Sequence, residues 1–185
     1  MIAVDEFRAK LRSAVLVQLF DYWQTIRGGR LMPPWSAIKP EEIAPVLPRI
    51  WVWRLDERGE PRIRLVGESI LEVTSRNIRD STPDDLYPPA EAADIRSRIL
   101  KVTGMPTCSF TDGEVFDRAT RVGSGERLAL PYLDDRGALG VIGASHVRMA
   151  TDADGKPIRF NPKALYRLEG AEYFMRLAPE EGGGA

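Results

Sequence analysis

Few side chains in this sequence can do covalent, acid–base or metal chemistry. Among 185 residues there is one His, His146, and one Cys, Cys108. An imidazole beside a carboxylate can act as a general base, and a neutral one can coordinate iron or exchange a hydrogen bond with a ligand. Asp112 and Glu114 are the acids that a small α+β enzyme would bring to His146. The plainer reading is a histidine satisfied by a neighbour. Cys108, a lone thiol, behaves by default as a small hydrophobe. Arg64 lies between apolar residues in Arg62-Ile63-Arg64-Leu65-Val66. Facing inward it would take a carboxylate or phosphate; facing outward it would meet solvent or a nearby acid. Strict alternation puts Arg62, Arg64 and Val66 on one face and Ile63, Leu65 and Gly67 on the other. Trp51 and Trp53 share a face of a neighbouring segment, and Tyr132 is a third aromatic that can line a pocket or fill a core.

The counts also exclude. One Cys rules out an internal disulfide, and one His rules out every two-His metal site. With 26 basic and 27 acidic residues, a net charge of -1 supplies no field for nucleic acid or anionic lipid. The longest apolar cluster, Ala14 to Phe20, contains Gln18 and ends at Asp21, so it is too short to span a membrane and too interrupted for a signal peptide. Gly123-Ser124-Gly125 does not open a helix after a strand and reads as a loop. Asp152-Ala153-Asp154-Gly155 begins like a calcium loop, but Lys163 stands where a bidentate Glu is required. Gly143-Ala144-Ser145-His146 lacks the closing Gly of a hydrolase elbow.

The elements that must position these residues follow from periodicity. Phe7, Leu11, Val15, Leu19, Tyr22 and Ile26 form one helical stripe over residues 5–27, stopped by Gly28-Gly29. Leu16, Phe20 and Trp23 widen it, so this helix is expected to meet its own sheet and a second copy of the chain. Five prolines between Pro33 and Pro48 predict a linker with one short helix near 41–47. Residues 50–55 and 62–67 read as a hairpin, 68–75 and 90–102 as helices, and 105–111, 127–134 and 138–149 as strands. The last of these is apolar on both faces and should be central. Residues 158–160 read as a short strand, 164–177 as a helical or irregular tail, and the glycine-rich end as disordered.

This order is that of a PAS domain. Tyr22-Trp23, Arg27-Gly28-Gly29-Arg30, Pro33, Ile38, Pro40, Ile43, Pro45, Leu47-Pro48, Ile50 and Arg64-Leu65-Val66-Gly67 together resemble the stand-alone PAS-like family found widely in alphaproteobacteria. The resemblance spans residues 10–150. Ile63 replaces a usual aromatic, and Ser75-Arg76 replaces a Gly-Arg pair; both changes bear on the cavity. The resemblance implies an α+β fold, a five-stranded antiparallel sheet with short helices on one face and an N-terminal helix on the other. Residues 1–30 form the amphipathic helix, 31–150 the PAS-like domain with which it makes one unit, and 151–185 a C-terminal extension.

The resemblance further implies a cytoplasmic sensory module, not an enzyme, that binds a small molecule, a separate signalling protein, or both. Residues 151–185 leave no room for an effector, so output would pass through a partner or a homodimer. The ligand-pocket candidates are Trp53, Arg64, Cys108, Tyr132 and His146; the dimer-interface candidates are Leu16, Leu19, Phe20 and Trp23. The light-sensing subgroup carries its cysteine in a helical Asn-Cys-Arg motif, whereas Cys108 lies on the third strand, which argues against flavin chemistry. Haem-binding relatives ligate more often from the helical region, where this chain has no His. No cofactor is named by the sequence. The competing readings are the His146 enzyme and a purely dimerising protein.

Overall fold

The N-terminal stripe folds as two helices rather than one. In the computed structural model, which describes residues 2–74, 77–117, 119–151, 154–155 and 167–178, α1 runs Val4–Lys10 and α2 runs Ala14–Arg27. Leu11 and Ser13 between them are extended. The break turns Phe7 back onto Phe20, with ring centroids 5.4 Å apart, and onto Phe110 at 6.4 Å. Amides freed at the break need acceptors. The Glu126 carboxylate accepts from Ser13 N at 2.9 Å and from Arg12 N at 3.2 Å. Periodicity could not show this break, because the acceptor lies 113 residues away from Ser13.

Arg27 closes α2: its Nη1 donates to Arg30 O at 2.6 Å and its Nε to Gln24 Oε1 at 3.0 Å, while Gly28 supplies a positive φ of 56°. The proline-rich segment makes three short 3-10 turns, Trp35–Ala37, Pro40–Ile43 and Leu47–Arg49, in place of the single helix expected.

Among the described residues, six strands form one antiparallel sheet: β1 Ile50–Leu55, β2 Pro61–Val66, β3 Thr107–Asp117, β4 Thr120–Leu133, β5 Leu139–Met149 and β6 Arg167–Arg176. Their order is β2-β1-β5-β4-β3-β6, with β5 central as its two apolar faces require. The sixth strand corrects the helical or irregular tail expected at 164–177 and makes the sheet six-stranded where five strands were expected. Alternation places Tyr173 and Met175 over the helix-side core, where Tyr173 stacks on Phe110 at 5.9 Å. Glu169 and Ala171, which alternate with Tyr173 and Met175 on the same face, dilute that apolar pattern in sequence. Gly123-Ser124-Gly125 is likewise strand, within β4. The short strand expected at 158–160 lies outside the described residues.

Three helices, α3 Glu68–Thr74, α4 Pro83–Leu86 and α5 Pro89–Gly104, lie over one face of the sheet; α1, α2 and the 3-10 segment cover the other. On the α1/α2 face, Leu16, Leu19, Phe20, Trp23, Leu128, Leu130 and Tyr132 are all buried.

Candidate functional site

The face under α3–α5 is not filled. Trp51 and Trp53 on β1, Ile63 and Val66 on β2, and Ile95, Ile99 and Val102 on α5 enclose a cavity of about 410 Å³. Small side chains make the space: Ser109 and Thr111 on β3, Ala129 on β4, and Ser145 on β5 line it. Gly143 sets its floor. A Cβ there would fall 2.2 Å from Trp51 Cζ2, so the absence of a side chain lets the indole lie across β5. The indole N–H then reaches Ser145 Oγ at 3.1 Å. The volume lies within the usual range for small-molecule pockets.

A polar group interrupts the apolar wall. Arg127 on β4 is opposite Ser145 in the sheet register and donates from Nε to Ser145 Oγ at 3.3 Å. Tyr87, just after α4, lines the same space. Burial pushes the Tyr87 phenol up and the Arg127 guanidinium down from their ordinary values. Arg98 on α5 carries a charge answered by Asp94 at 2.9 Å and by Glu172.

The residues expected at the pocket are divided between the two faces. Trp53 lines the cavity. Cys108 and Tyr132 belong to the core under α1 and α2 instead. Cys108 is fully buried and desolvation raises its thiol pKa, so it is a packing residue. Tyr132, pushed up to about 12 by burial, donates to Trp53 O at 3.4 Å and packs against Trp35 at 5.0 Å. Arg64 lies over the Trp35 ring at 4.1 Å, a cation–π contact away from the cavity.

A register shift explains why strict alternation fails in β2. Val52 pairs with Leu65 but Trp53 pairs with Ile63, so Arg64 is the extra residue. Ile63 and Val66 therefore share the cavity side, while Leu65 packs with the helix-side core.

His146 is not a cavity-lining residue. Asp112 is paired with Arg12 and Glu114 with Arg121, and the imidazole Nδ1 is buried without a hydrogen bond among the described residues. The catalytic pair considered for His146 is therefore not assembled. Among the described residues there is no cluster of His, Cys, Asp and Glu able to hold a metal, and no helix is long and apolar enough to cross a membrane.

The dimer candidates are also relocated. Leu16, Leu19, Phe20 and Trp23 are each at most 1% accessible within the single chain. Within the chain, the second surface that the wide stripe meets is the proline-rich segment, through Ile43 and Val46. Trp23 further donates to Pro131 O at 2.9 Å.

Sequence reasoning missed Arg127, Tyr87 and Ser145. A signal existed for the first: Arg127 and Ala129 alternate with Leu128 and Leu130, which assigns them to a different face. That this face would be hollow is set by the helices laid over it.

The PAS domain family model matches residues 11–144. No curated protein matches the chain. Among solved structures the chain is similar to the PAS domain from Bordetella pertussis BvgS, at 20% identity and a TM-score of 0.45, over 60% of this chain and 82% of that one.

Proposed function

Because the chain belongs to the PAS domain family, we propose that it is a sensory module whose state is set by a small molecule held between the sheet and helices α3–α5. The observation that carries this reading is the 410 Å³ cavity beneath a sheet whose opposite face is closely packed. Protein interiors rarely leave voids of this size, and one lined by tryptophans and isoleucines with a few polar groups has the chemistry of a ligand pocket. A bound molecule would touch α5 and the sheet together, so occupancy biases how the helices sit on the strands.

Native mass spectrometry of freshly purified protein tests the reading. The expected result is a non-covalent adduct lost on denaturation, with Ala129→Trp protein, whose cavity is filled, purifying without it. Absence of any adduct, together with no thermal shift from a library of small apolar molecules, overturns it.

A further inference from the structure

The cavity wall contains a guanidinium, that of Arg127, with no carboxylate hydrogen-bonded to it among the described residues. Ser145 Oγ receives two hydrogen bonds, from Trp51 Nε1 at 3.1 Å and from Arg127 Nε at 3.3 Å. A hydroxyl oxygen has two acceptor sites and one proton. With both acceptor sites taken, the Ser145 proton remains to be donated, and Ser145 lines the cavity. Arg127 uses only Nε in this contact, which leaves the N–H groups of both terminal nitrogens to give. No carboxylate pairs with it among the described residues.

The other charges near the cavity differ from Arg127. Arg98 is neutralised by Asp94 and Glu172. Arg49, half-buried one residue before β1, also lines the cavity and adds positive charge to the same wall. The carboxylate of Glu172 is already committed to Arg98, so the lining presents net positive charge to an occupant. Desolvation is the largest influence on the Arg127 guanidinium and lowers its pKa, outweighing the opposing field of Asp94, which is paired with Arg98. Such a cation is costly unless paired.

Resting on the reading of the cavity as a ligand site, we propose that its occupant is an amphipathic carboxylic acid. The carboxylate takes the Arg127 terminal nitrogens and the Ser145 hydroxyl, and an apolar body lies against Trp53, Ile63, Ile95 and Ile99. The planar guanidinium fork matches a carboxylate in two parallel hydrogen bonds. A phosphate monoester carries about two charges and more acceptor oxygens than one guanidinium and one hydroxyl satisfy.

The test is calorimetric titration of the full chain with phenylbutyrate, phenylbutyramide and phenylbutyl phosphate, and with decanoate and decanamide, beside identification of any copurified mass. The acids are expected to bind at least about tenfold more tightly than their amides and than the phosphate. Arg127→Met should remove that preference, a loss of about tenfold to a hundredfold for the acid with little change for the amide. Ser145→Ala, which deletes one hydroxyl, and Arg127→Lys, which keeps the charge but loses the fork, should each lose part of it. These two variants keep the question decidable if the Met variant fails to fold.

Amides that bind as well as acids, or a copurified neutral or cationic molecule, overturn the acid while leaving the cavity reading intact. Tighter binding of the phosphate overturns the carboxylate assignment. No binding by any probe and no copurified mass removes the cavity reading and the acid with it.

Discussion

Glu126 and Arg127 are consecutive in β4 and point to opposite faces of one sheet, and their charges meet opposite treatment. The Glu126 carboxylate, 1% accessible, is met by two backbone amides at the start of α2 and by the Arg12 guanidinium 3.7 Å away. Its negative charge also suits the positive end of the helix. Arg127, one residue on, meets a serine hydroxyl and open space. The same contrast holds for apolar groups: the α1/α2 face is packed with Phe7, Phe20, Phe110 and Trp23, while the α3–α5 face alternates large indoles with Ala129, Gly143 and Ser145. One face is filled and answers the Glu126 charge, and the other leaves Arg127 facing open space.

Substitutions on the two faces should therefore differ in size and in sign. The largest effect belongs to the filled face, where Phe110→Ala removes a ring in contact with Phe7 and Tyr173; urea denaturation should show a loss of about 3–5 kcal/mol. Comparable stability in that variant and the parent would mean that this face is not tightly packed.

The adjacent charges give the next test. Glu126→Ala strands the amides of Arg12 and Ser13 and should cost about 2 kcal/mol, with faster hydrogen exchange at those two amides. Arg127→Met removes a cation that, among the described residues, bonds only a serine hydroxyl, and should leave the ligand-free protein as stable as the parent, or more stable by about 1 kcal/mol. A destabilised Arg127→Met protein would make the arginine a structural group and erase the contrast.

Added volume sharpens it further. Ala144 is fully buried in the helix-side core, so Ala144→Leu should cost about 1–3 kcal/mol by overpacking. Ala129, on β4 across the sheet from Gly143, has the cavity above it, so Ala129→Leu should change stability by less than about 1 kcal/mol while weakening ligand binding. Equal penalties at the two alanines would show that the cavity collapses in solution.

The smallest effect is pH-dependent. Burial, followed by the Arg49 charge, holds the His146 pKa below its ordinary value. The unfolded chain then binds a proton more readily than the folded one, so this contribution to stability is present above about pH 6.5 and is lost on acidification through the folded pKa. Denaturation between about pH 7.5 and 5.5 should show a shallower decline for His146→Gln than for the parent. Identical slopes would place the imidazole in an ordinary aqueous environment.

Much of the element order was legible from local pattern. The hairpin, the helix ending at Gly104 and the central strand before Met149 each carry their period within a few residues, and the motif from Tyr22 to Gly67 was enough to bring the PAS family to view. Three features were not legible because their causes are distant in sequence. The break after Lys10 depends on Glu126, the shift in β2 appears only in its pairing with β1, and β6 takes its alternation from the edge of β3. The shift also fixes where Arg64 lies: as the extra residue of β2 it stands over Trp35, away from the cavity.

What the sequence determined alone is the PAS order of elements, the exclusion of an internal disulfide and of any two-His metal site, and the identity of the residues that alternate on each strand. Period and composition are local properties, and they are readable as such. Which face would close and which would stay hollow was decided by tertiary structure. Alternation separates Glu126 from Arg127, but only the placement of α2 answers the first charge, and only the arch of α3–α5 over small strand residues leaves the second facing an open cavity.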